Sequence, residues 1–217
     1  INTKYMVPKD KASKVINGYK NTKKKICIHE TANWSYGADD ERHAILQYNG
    51  NSRQASWHFT VDDDSIHQSF PLEAQCWASG TGKGNNEAIH IEMCVNSDND
   101  YKKTVSNTAQ LVAKLLKDLK LTINDVVQHN YYSGKDCPKE MRKVNAPIPW
   151  ASFLQMVKGH LNTSGGTTVS NQKIEVDAVE GAAVWRIQSG KFKTKEEAIA
   201  AAKKTGLSYV TIKGTKQ

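Results

Sequence analysis

Residues 87–95 read "EAIHIEMCV", and the alternation is unbroken. Ile89, Ile91 and Met93 fall on one side, His90, Glu92 and Cys94 on the other. A strand sends successive side chains to opposite faces. One face of this strand therefore suits a core, and the other carries groups that titrate or bind metal. The stretch "KKKICIHETA" has the same character. It predicts a buried strand over 24–29 with Cys27 and His29 on one face, His29 at the end, and a turn after it. Periodicity also predicts an amphipathic helix over 101–121, with Val105, Ala109, Val112, Leu116 and Leu119 on one stripe.

Other elements follow from local signals. "ADDERHAILQYNG" reads as a helix whose positive end meets Asp39, Asp40 and Glu41 and which Gly50 stops. "ASWHFTVDDDSIHQSF" reads as a hairpin around three aspartates. "VVQH" is a short apolar approach to "HNYYSGKDCP", where Gly134 and Pro138 argue against regular structure. Pro149 opens a last helix, "PWASFLQMVKGHL".

The 217 residues suit one full domain and a small second one. The boundary lies where composition shifts to "NTSGGTTVSNQ", a flexible linker by its Gly, Ser and Thr content. The expected division is 1–160, a linker over 161–172, and a tail over 173–217. The tail carries a β-α-β pattern: "AVWRIQSG", then "TKEEAIAAAKKTG", then "LSYVTIK". Thr194 with Glu197 forms a capping box in its helix, and Gly206 follows the helix end.

The net charge of +8 favours anionic partners. Its basic residues are scattered, with the lysines at 23–25 as the only run, and neither an RNA-binding aromatic motif nor zinc-finger spacing occurs. A nucleic-acid partner is not expected. No apolar run is long enough for a membrane span. The N-terminal stretch "INTKYMVPKDKASK" lacks the apolar core of a secretory signal. The chain is thus expected to be made in the cytoplasm without a signal peptide. Cys27, Cys76, Cys94 and Cys137 form no C-x-x-C pair. Free thiols that pack or bind metal fit that spacing better than a disulfide framework.

His29 is followed by "ETAN", so the helical two-histidine zinc motif is absent. Any metal must be gripped by residues far apart in sequence. The obvious set is His29, His129 and Cys137, which leaves a fourth tetrahedral position open. Cys27, His58 and His90 are rival ligands on the same grounds. Taken singly, a histidine near a strand end is a polar surface residue and a free cysteine a small core hydrophobe.

Together, "IHETAN", "SWHFTVDD", "IHIEMCVN" and "HNYYSGKDCP" resemble, in residues and order, the type-2 N-acetylmuramoyl-L-alanine amidases of phage endolysins and bacterial autolysins. The resemblance covers roughly residues 20 to 145. It implies an α/β fold, a mixed central β-sheet flanked by helices, with zinc in a surface groove. It implies cleavage of the amide between N-acetylmuramic acid and L-alanine of the peptidoglycan stem. Carried over by position, His29, His129 and Cys137 fall on the zinc ligands, Glu92 on the general base and Lys135 on the lysine that stabilises the transition state. Two positions depart from the family's frequent residues: His90 stands where glycine is common, Ala78 where histidine is common. Trp57, Trp77 and His90 are candidates to meet substrate, although large aromatics such as Trp57 and Trp77 serve as core or rim residues about as often; His58 is expected to be structural or to support a ligand, and not itself to bind metal.

The tail, in "WRIQSGKFKTKEEAIAAAKK", resembles a SPOR-type wall-binding module, a small α+β domain of which only one clear half is present. A second copy across a symmetric interface would complete it, so a homodimer through the tail is an expectation. Three classes of function stand at this stage. One is a zinc amidase acting on the cell wall after release. The second is a recognition protein that binds peptidoglycan without cutting it. The third is a hydrolase using Cys27 or Cys137 as nucleophile.

Overall fold

The computed structural model describes residues 1–51 and 53–163, together with the backbone of 173–174 and 187–188. The chain divides into two compact units, Ile1–Gly165 and Gly166–Gln217.

The first unit is built on five strands: β1 Lys25–Glu30, β2 Phe59–Val61, β3 Ile66–Gln68, β4 Ala88–Met93 and β5 Val126–Gln128. Their order is β3-β2-β4-β1-β5. β1 runs parallel to both β4 and β5, β2 runs parallel to β4, and β2 and β3 form the expected antiparallel hairpin. The sheet is therefore mixed, with β1 and β4 at its centre. Those two strands show the cleanest period-2 pattern.

Register decides what shares a face. Cys27 pairs with His90, His29 with Glu92, and Thr60 with Glu92 across the other edge of β4. Partners in a parallel ladder point the same way, so these side chains occupy one face. The opposite face presents Ile26, Ile28, Phe59, Val61, Ile89, Ile91, Met93 and Val126 to the core. Helix α4, Tyr101–Asp118, covers it with Val105, Ala109, Val112 and Leu116, and α7, Trp150–Thr163, packs on α4 and adds Phe153 and Val157. Each fully buried Ile or Leu contributes about 2 kcal/mol, so this layer holds the sheet in place.

Helix ends explain where the elements stop. Asp39 caps α2, Asp40–Tyr48, by accepting from the Arg42 amide at 2.8 Å. Asp100 caps α4 through the amides of Lys102 and Lys103. α4 ends three residues before the expected 121. Lys120 turns left-handed (φ 55°), and the amides of Lys120 and Leu121 bond back to Lys117 and Leu116. This is a Schellman stop made without its usual glycine, and a lysine gives no warning of it.

Three short helices were not expected: α1 Lys9–Ala12, α3 Gly82–Glu87 and α6 Lys139–Arg142. A further turn, α5 Asn130–Ser133, lies inside the segment read as irregular and is ended by Gly134 at φ 72°. In α3 Thr81 caps the helix, and Gly84 is demanded by space. A Cβ there would come within 2.4 Å of the Ser79 hydroxyl and 2.8 Å of the Tyr132 ring.

A small second cluster of Val7, Ala12, Val15, Ile16, Phe70, Ala74 and Cys76 seats the N-terminal segment. At the start of α2, buried Asp40 accepts from Ser65 at 2.7 Å and His67 at 2.8 Å, tying the helix to the hairpin turn. All four cysteines are free and buried. Among the described residues no helix is long and apolar enough to cross a membrane.

In the second unit, β6 Lys173–Ile174 pairs antiparallel with β7 Ile187–Gln188. β7 falls in the strand expected from "AVWRIQSG"; β6 was not expected. α7 also runs through Thr163, into the segment read as linker from 161. The tail helix, its Thr194–Glu197 capping box, the last strand, the SPOR-like reading and a homodimer through the tail lie outside the described residues.

Candidate active site

The candidate site sits at the carboxyl ends of the central strands, on the face away from α4. His29 is the fifth residue of β1 and only 1% exposed. His129 follows β5, and its amide donates to the Ile28 carbonyl at 3.1 Å. That bond carries the β1–β5 register one step further and sets His129 beside His29. Cys137 returns from the loop beyond.

The loop is held by its own hydrogen bonds. The Asn130 amide donates to the Cys137 carbonyl at 3.1 Å, and the Asn130 side chain donates to the Lys135 carbonyl at 3.0 Å. Gly134 supplies the left-handed turn that lets the chain double back, and the Cys137–Pro138 peptide is cis.

The ligand atoms of His29, His129 and Cys137 all lie within 4.8 Å of one another, and the three residues are buried. Nδ1 of His29 stands 3.0 Å from Nδ1 of His129. The Cys137 sulfur accepts from the Glu30 amide at 3.4 Å. Burial, with help from neighbouring imidazoles and Lys135, holds His29 well below the usual histidine range. Burial and Lys135 also lower His129. Both rings are thus neutral, the form in which imidazole donates a lone pair to metal. Burial, then Glu92, pushes the Cys137 thiol up to about 12, against the pull of the Glu30 amide and Lys135. A dication would reverse that by deprotonating the thiol.

Glu92 stands across from His29, its Oε1 3.9 Å from His29 Nδ1. Although 14% of its side chain reaches solvent, burial pushes the carboxyl up to about 8; Lys135 lowers it and Glu30 raises it. Its Oε2 has no hydrogen-bond partner among the described residues. Two neutral imidazoles and a thiol converge beside an orphaned carboxylate oxygen. That donor set suits a tetrahedral zinc site with one position left open.

The rivals divide. His58 is fully buried and satisfied: its Nδ1 accepts from the His90 amide at 2.9 Å and its Nε2 bonds the Ala74 carbonyl at 3.0 Å. Both its ring nitrogens are thus already engaged by backbone. Cys27 and His90 lie on the far side of His29, where their ligand atoms and those of His29 are also within 4.8 Å of one another.

The three expected substrate residues also divide. Trp77 keeps exposed surface, with its indole N–H on Asn17 at 2.8 Å. Trp57 is closed over at 8% exposure and donates to Thr60 at 2.7 Å. His90 has no exposed surface and contacts His29 instead, its Nδ1 3.0 Å from His29 Nε2. Of the three, Trp77 alone keeps surface open to a ligand in this structure.

Glu30 was missed by reasoning from sequence. Its buried carboxylate accepts from the Tyr101 hydroxyl at 2.7 Å and the Glu140 amide at 2.9 Å. It thereby pins the segment after Cys137 to the end of β1 and the start of α4. Its place next to His29 was the one available hint.

A sequence profile described as N-acetylmuramoyl-L-alanine amidase matches residues 19–140. Among curated proteins, N-acetylmuramoyl-L-alanine amidase CwlH of Bacillus subtilis is 41% identical over 140 residues, covering 63% of this chain and 54% of that protein. The amidase XlyA of the same organism is 38% identical over 144 residues, covering 65% and 46%. The chain thus spans about half the length of these relatives. Among solved structures, the catalytic domain of XlyA superposes with a TM-score of 0.65 at 35% identity, covering 72% of this chain and 99% of that one. PlyL gives 0.63 at 31% identity, covering 71% and 95%.

Proposed function

The chain belongs to the N-acetylmuramoyl-L-alanine amidase family, and from that premise we propose that it is a zinc-dependent peptidoglycan hydrolase. The bond cut is the amide joining the lactyl group of N-acetylmuramic acid to L-alanine of the stem peptide. The observation that carries the reading is the convergence of His29, His129 and Cys137 beside the Glu92 carboxylate.

In this reading His29, His129 and Cys137 hold the zinc. The chemistry zinc supplies when bound is Lewis acidity toward the amide carbonyl and acidification of the attacking water. Glu92 takes the proton from that water and passes it to the leaving nitrogen, which would otherwise depart as a strongly basic amide anion. A carboxyl poised near neutrality by burial suits both halves of that transfer. Lys135 is exposed on the loop, and its charge is felt at Glu92, His29 and His129. From there its ammonium stabilises the oxyanion that develops at the carbonyl. Trp77 offers apolar surface to sugar or peptide. A Cys137 thiol pushed up to about 12 is a poor nucleophile at neutral pH, which weighs against direct attack by sulfur.

Purified peptidoglycan digested by the chain, with mass analysis of the products, tests the reading. The expected result is new L-alanine amino termini with intact lactyl groups, lost to a chelator and restored by zinc. Cleavage indifferent to chelator, or release of sugar reducing ends alone, would overturn it.

A further inference from the structure

His90 is a wholly buried member of the reactive face to which the proposed chemistry gives no task. His29 has both ring nitrogens engaged: Nδ1 faces His129 at 3.0 Å and Nε2 faces Nδ1 of His90 at 3.0 Å. A neutral imidazole carries one N–H and one lone pair. Whatever takes the Nδ1 lone pair of His29 leaves its proton on Nε2, and among the described residues the atom at bonding distance to receive that N–H is Nδ1 of His90. His90 must then hold its own proton on Nε2. That Nε2 is buried and has no hydrogen-bond partner among the described residues.

His90 is itself fixed. It has no exposed surface, its amide donates to His58 Nδ1 at 2.9 Å, and its ring stacks on the His58 ring at 5.9 Å between centroids. His58 is anchored in turn on the Ala74 carbonyl.

We propose that His90 is a positioning residue for the metal centre: its Nδ1 accepts the Nε2–H of His29 and so fixes the tautomer and ring orientation that aim His29 Nδ1 at the metal. The inference rests on reading the site as a metal centre. A carboxylate or backbone carbonyl usually plays this part. An imidazole does so without adding negative charge beside Glu92.

Two substitutions separate the hydrogen bond from mere bulk. His90→Phe keeps a ring and removes the acceptor, while His90→Asn places an oxygen near the position of Nδ1. With folding checked by thermal melting, zinc affinity measured against a chromophoric chelator should fall roughly 10–100-fold in the phenylalanine variant. It should return toward wild type in the asparagine variant. Equal affinities in all three proteins would overturn the assignment.

Wild-type protein labelled with ¹⁵N-histidine gives a second readout that needs no variant to fold. In the zinc-loaded state His29 should be protonated at Nε2, and His90 protonated at Nε2 and bare at Nδ1. A proton on His90 Nδ1 overturns the proposal. A second equivalent of cobalt whose thiolate absorption vanishes in Cys27→Ser also overturns it, since His29 Nε2 would then be a ligand and not a donor. A wild-type chain that takes up no metal brings down the site reading and this inference together. Metal uptake with unresponsive variants brings down only the role of His90.

Discussion

The two faces of one sheet differ in how they bear substitution. The face toward α4 is a continuous apolar layer, and any one residue of it matters through the volume it fills. The face carrying Cys27, His29, His90 and Glu92 is nearly as buried, yet its residues matter through which atom points where. Strand alternation puts these two regimes within one residue of each other along β1 and β4. The lesson is that burial alone does not mark a core: here a sealed interior holds three histidines in contact.

The difference can be broken from either side. Glu92→Gln carries the largest expected effect: turnover falls roughly 10²–10⁴-fold, while zinc content and melting temperature stay near wild type. Near-normal wall lysis by this variant would remove Glu92 as the base. Leu116→Ala, beneath the apolar face, should do the reverse. Its stability falls by about 3 kcal/mol in chemical denaturation, and the folded fraction keeps its kcat. A large loss of kcat at unchanged stability would show that the two faces are not separable.

Acid sharpens the contrast. Burial holds His58 down to about 4 in the fold, whereas a free histidine titrates near 6.5. The unfolded chain therefore takes up this proton first. The stability is fully present above about 6.5 and drains as pH falls toward 4, by on the order of 3 kcal/mol from this ring alone. Denaturation of metal-free protein across that window should show the loss, and a flat profile would contradict it. The smallest effect belongs to the loop. Gly134→Ala forces a Cβ into the left-handed region (φ 72°) and should cost about 1 kcal/mol by thermal melting, with a modest rise in the zinc dissociation constant.

The central strands, the long helix and the reactive loop were legible because each rests on a local signal: period 2, period 3.6, or a glycine and a proline close together. The ligand trio stood out as a candidate set by residue type, with rivals, and a resemblance singled it out and added Glu92; the structure brings the four to one place. What stayed hidden was long-range or stereochemical. Which nitrogen of His29 meets which neighbour depends on ring orientation across three strands. The clamp at Glu30 depends on residues 71 and 110 positions away. α3 was not expected, and its Gly84 answers a demand from residues distant in sequence, clearance from Ser79 and Tyr132. The burial of Trp57 and His90 was not legible either, because no local pattern distinguishes a sealed position from a groove.

The Glu30 carboxylate joins the end of the first strand, the first residue of α4 and the turn after Cys137. Those three segments lie far apart in the chain, so the station of the sulfur is complete only when all three are docked. Metal uptake followed in time would then serve as a clock for the last steps of folding, and an ion captured at that moment would act as a latch.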